Sequence, residues 1–237
     1  MSAHAPTTPM IRLAALAALV LLPLTAACGD SQAAAEAVPA DPAGTVLAIE
    51  LDGARTTITA DEVDAWLPTV RRLEPASTLP ALRRLVLTNI TLPLKVSQMI
   101  APEAREEARS LAQDTLDVIN EGLIEYKDVP QMEAAEGTFL EIGLDVWGRA
   151  LEMEEDDWTP VFETVGAFVF FRFVAIPEGP VFMSTPILIE RGIFPYLEAE
   201  SARSDIEAAY DRAVLTIVDP GWETIVPAHY VYRMQPE

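Results

Sequence analysis

The stretch VGAFVFFRFVAI at residues 165–176 constrains the fold more than any other part of the chain, because Arg172 is its only charged side chain. A strand with one wet face alternates apolar and polar residues, whereas a run this continuously apolar needs cover on both faces. It predicts a buried central strand. Two further strands are expected on its carboxyl side. One covers residues 181–189, interrupted by Pro186, and the other residues 225–234, with Pro227 arguing for an edge or for the first position.

Before that run the periodicity is largely helical. Residues 46–51 (VLAIEL), the Asp52-Gly53 pair and the β-prone residues 55–58 read as a hairpin. Thr59 with Glu62 forms a capping box ahead of Val63, Trp66 and Leu67, and Pro68 is expected to limit that helix. In residues 79–100, Leu82, Leu85, Val86 and Ile90 have helical spacing and Pro93 should break or kink the run. Residues 102–122 carry the clearest helix. Pro102 suits its first turn, Glu103, Glu106 and Glu107 suit its positive end, and Gly122 suits its stop. Ala104, Ala108, Leu111, Ala112, Leu116 and Ile119 form one stripe, read as a core face. Ser204 with Glu207 is a second capping box, opening a helix through about Val214. The expected class is α+β, with a helical region at residues 45–122 and a β-rich region at residues 123–237.

Residues 1–27 read as a leader outside the fold. Arg12 precedes a short apolar run, LAALAALVLLPL, which is too short for a span needing about 20 residues. Thr25-Ala26-Ala27-Cys28 then resembles a bacterial lipobox, with Thr25 where leucine is usual. That resemblance implies cleavage before Cys28, covalent diacylglycerol and N-acyl lipid on its sulfur and amino group, and anchoring in the cell envelope. Gly29 after the cysteine resembles an outer-membrane sorting signal, facing the periplasm. Cys28 is the only cysteine, so an oxidising compartment costs the chain nothing. Residues 28–44 read as a flexible tether that holds the body roughly 20–25 Å from lipid. Without the leader, 15 basic side chains face 37 acidic ones, a net charge of −22. Such a surface repels phosphate, which argues against nucleic acid as a partner, and it offers anionic lipid no polybasic patch.

The hairpin and capped helix, LDGARTTITADE at residues 51–62, resemble the "VDG-x-x-I-T-x-x-E" opening of envelope folding factors of the SurA and PrsA type. Further on, GLDVWGR at residues 143–149, Met153, and PVFETVGAFV at residues 160–169 are similar, in that order, to part of a parvulin-type prolyl isomerase. The resemblance implies a parvulin-like second half and a proline-binding pocket at Met153, Trp158, Phe162 and Phe168, residues that otherwise read as ordinary core. It also implies two histidines at the isomerase centre. The chain has only His4, in the leader, and His229, and Phe168 stands at the closing-strand position. No catalytic residue is therefore assigned.

No other motif carries chemistry. The acidic run at residues 152–157 lacks EF-hand spacing and reads as a solvated loop, so neither metal nor soluble cofactor is expected. His229 has no second histidine or cysteine near it in sequence. Phosphate-loop, nucleophile-elbow and zinc-helix patterns do not occur. The expected function is a membrane-anchored, non-catalytic chaperone-like factor that binds unfolded or extended polypeptides. Two alternatives stand beside it: an active prolyl isomerase with a rebuilt site, and a structural adaptor that holds an envelope protein partner.

Overall fold

The computed structural model describes residues 41–182 and 184–233. The fold is α+β, with helices concentrated in the first half and two antiparallel sheets. The expected hairpin forms from β1 (Thr45–Leu51) and β2 (Ala54–Thr59), turning at Asp52 and Gly53, both with positive φ. Thr59 and Glu62 make both bonds of the expected capping box at the start of α1 (Ala60–Asp64). This helix ends at Asp64, ahead of Pro68 as expected, and the proline belongs to the next one. It sits in the first turn of α2 (Leu67–Leu73), where a missing N–H costs nothing.

The Pro93 break resolves differently. After α3 (Leu79–Val86) the chain widens into a π-helical turn (Leu87–Thr91), in which the Leu92 N–H bonds the Leu87 carbonyl five residues back. Helix α4 (Leu92–Ile100) then starts with Pro93 in its first turn, so the helical path continues through the proline. Helix α5 (Pro102–Asn120) matches its expected bounds and stops before Gly122, which has φ +69°. Its buried stripe is narrower than expected. Ala108, Ala112 and Leu116 face the core, whereas Ala104 and Leu111 are exposed, because one row of residues four apart is enough for the contact with the second sheet.

The second sheet has the strand order β3-β6-β5-β4, built from β3 (Met132–Gly137), β4 (Phe162–Thr164), β5 (Ala167–Ala175) and β6 (Ile187–Pro195). The long apolar run is β5, an inner strand covered on both faces as expected. Phe168 and Phe170 join one core with β1, α3, α4 and α5. Val169, Phe171 and Phe173 join a second core with α7 (Leu144–Ala150), which follows α6 (Phe139–Ile142). Strand β6 begins just after Pro186, which has no N–H for a ladder, so residues 181, 182 and 184–186 lie outside the strand and Val181 and Phe182 are exposed.

The carboxyl-terminal expectations need more correction. Helix α8 (Ala202–Tyr210) is entered from Ser201, not Ser204, whose hydroxyl bonds the Ser201 carbonyl instead. Val214 lies in β7 (Val214–Ile217), which completes the first sheet in the order β2-β1-β7. The expected last strand is α9 (Ala228–Arg233), started by the Tyr230 N–H bonding the Pro227 carbonyl. Pro227 is suited to a helix start, and β7 already occupies the open edge of β1.

Candidate functional site

The alternation along β5 separates the four residues implied as a proline pocket. Phe168 points into the first core, 5.9 Å from Tyr196 and beneath the Arg105 guanidinium at 5.7 Å. Trp158 packs on the same side, against Phe170 at 5.8 Å. Phe162 lies in the second core, edge-on to Phe171 at 6.0 Å, with the Arg149 guanidinium 4.3 Å above its ring. Met153 packs against that second core. Met153 and Trp158 do share a shallow concavity of about 270 Å³, but Phe162 and Phe168 do not line it. Cys28 lies outside the described residues.

A larger concavity, about 470 Å³, opens where the π-helical turn faces the α6–α7 corner and the adjoining strands. The corner is locally encoded. Thr138 and Glu141 form a capping box that starts α6, with the Thr138 N–H donating to Glu141 Oε2 at 2.8 Å. Gly143, at φ +92°, turns the chain so that α7 begins at the next residue. A Cβ on Gly143 would lie 2.7 Å from Asp145 Oδ1, so the glycine also makes room for that carboxylate.

Ile90 of the π-helical turn, Leu140, Leu144, Val165 and Ile193 supply most of the groove's apolar wall. Leu140 is 81% exposed and Val165 40%, large values for apolar side chains at the rim of a cleft. Within this wall Asp145 accepts the Val146 N–H at 2.9 Å. Burial pushes its pKa above the ordinary aspartate range, against the opposing pull of the Val146 amide and of Arg149 and Arg191. Arg191 reaches the groove but is held by Glu133 at 2.7 Å. The arrangement can bind an apolar chain and offer it the carboxylates of Asp145 and Glu141. Compared with protein-family models, curated proteins and solved structures, the chain has no match. The groove is therefore read from its own chemistry.

A buried polar cluster lies on the other side of the sheet. Glu163 accepts bonds from Arg105 at 2.6 and 2.7 Å, Gln98 at 2.9 Å and the Tyr196 hydroxyl at 3.0 Å. Tyr196 is also 2.9 Å from the Ser97 hydroxyl. Burial, and then the Glu163 charge, push its phenol well above the usual tyrosine range. The Glu163 carboxylate is fully occupied by protein donors, so the cluster ties β4 to α4, α5 and the residue that follows β6.

Sequence reasoning did not single out Asp145, Ile90 or Arg191 as groove residues. Asp145 stands inside GLDVWGR, where a charged residue between apolar neighbours was the one available signal. Ile90 and Arg191 lie far away in sequence, and only the packing of the helical half on the sheet brings them together.

Proposed function

We propose that this protein is a lipid-anchored cell-envelope factor that holds extended polypeptide segments without turning over prolyl bonds. The observation that carries the reading is the open groove of about 470 Å³, a volume within the range of ligand sites, with Leu140 and Val165 exposed on it. Apolar side chains left in water at a cleft favour an apolar occupant, and a chain lying there would bury them.

Two further points support it. The leader with its lipobox-like end gives the chain an exit route and an anchor at Cys28. The isomerase reading needs paired histidines, and the chain has two in all, His4 in the leader and His229, exposed on α9 beside Tyr230. Twisting an X–Pro bond means crossing a barrier of about 18–20 kcal/mol, for which the groove offers apolar walls, the carboxylates of Asp145 and Glu141, and the Arg191 guanidinium already paired with Glu133.

The test is light scattering from a chemically unfolded client, with the full lipidated chain held in nanodiscs. Suppressed aggregation at molar excess is expected, and no effect would remove the reading. A prolyl-isomerisation assay on a short peptide should stay at the background rate. A rate above background would overturn the non-catalytic part.

A further inference from the structure

Asp145 is an uncommon resident for an apolar groove. Its donors are backbone amides, those of Val146 at 2.9 Å and of Asp145 itself, while a carboxylate has about four lone-pair sites. Among the described residues no cation lies within ion-pair distance of it. The two guanidinium groups whose charges act on it are in contact elsewhere, Arg191 with Glu133 at 2.7 Å and Arg149 over the Phe162 ring at 4.3 Å. A partly desolvated charge whose cations act only from beyond ion-pair distance is costly unless something completes it. The groove is open, so that something can arrive from solution.

The surroundings favour a positive visitor. Glu141, also in the lining, adds a second carboxylate, and Arg191 is already neutralised. The whole chain carries 37 acidic against 16 basic side chains, a field that steers cations towards it and anions away. We infer that the groove selects polypeptide segments in which a lysine or arginine is flanked by apolar residues. The cation rests on Asp145, and its neighbours rest on Ile90, Leu140, Leu144 and Val165. This rests on the polypeptide-binding function proposed above and names the class of segment it takes.

The test uses three short labelled peptides with identical apolar residues and Lys, Gln or Glu at the centre. Fluorescence anisotropy reads their binding to the lipidated chain in neutral phosphatidylcholine nanodiscs. The Lys peptide should bind about tenfold tighter than the Glu peptide. In Asp145→Asn the affinity for the Lys peptide should fall to that for the Gln peptide. Equal binding of all three by the wild type overturns the inference, whether or not the variant folds, and leaves the polypeptide-binding function standing. A preference that survives in a folded Asp145→Asn also overturns it, because the general acidic surface would then be responsible. If none of the peptides binds, the proposed function itself falls.

Discussion

Arg105 on α5 and Glu163 on β4 form a two-pronged ion pair, at 2.6 and 2.7 Å, that joins the helical half to the edge of the second sheet. The Glu163 side chain is only 12% exposed, so its charge depends on that partner. Arg105→Met should destabilise the protein by about 2–4 kcal/mol, since removing one member leaves a nearly buried charge uncompensated. Arg105→Met combined with Glu163→Gln should recover part of the loss. Urea unfolding of the two single variants and the double variant checks this, and strictly additive losses would contradict the coupling.

Gly143 meets two demands at once, a φ of +92° and a 2.7 Å approach between its absent Cβ and Asp145 Oδ1. Gly143→Ala should cost about 1–3 kcal/mol from backbone strain, with further loss as the carboxylate is displaced. Thermal unfolding measures the cost. An alanine variant as stable as the wild type would show that the corner tolerates another path.

Asp145 gives a pH dependence whose sign follows from burial. Its folded-state pKa is raised above the ordinary aspartate value of about 3.9. The folded state therefore holds the proton more tightly than the unfolded chain. The stability contributed by Asp145 is fully present below the ordinary value and is lost as pH rises through the raised one. Asp145→Asn should gain on the wild type as pH rises across that window and at neutral pH be at least as stable. Paired urea titrations from acid to neutral pH test it, and a variant that loses ground as pH rises would contradict the desolvated setting.

For the anchor, Cys28→Ser should leave the leader uncleaved and the chain without lipid, because the thiol is the acylated group in the proposed maturation. Intact-mass spectrometry of the native product should show a chain beginning at Cys28 and carrying acyl chains. A bare thiol there, or a chain still beginning at Met1, would remove the envelope assignment.

Features that depend on neighbouring residues were legible in the sequence. The Thr59–Glu62 capping box, the Asp52-Gly53 turn, helix α5 and the buried strand β5 follow from hydrogen bonds three or four residues apart, or from a run of apolar side chains. Segments whose state depends on a distant partner were not. Residues 214–217 are a strand because β1 offers them an edge, while residues 228–233 are helical with that edge already taken. Strand β3, the sequence MEAAEG, has little β-propensity of its own and is held by its pairing with β6.

The same division runs through the candidate site. Sequence alone determined that β5 would be covered on both sides. Tertiary structure decided which side each ring took: β4 pairs Phe162 with Val169, so Phe162 shares that residue's core while Phe168, one position away on β5, faces the other. It also set Asp145 beside Ile90 and Ile193, residues from three separate segments that share a groove only after the helical half has packed on the sheet. Local backbone chemistry is written in adjacent residues, whereas a cleft is the space left between elements distant in the chain, and its shape is a property of their packing.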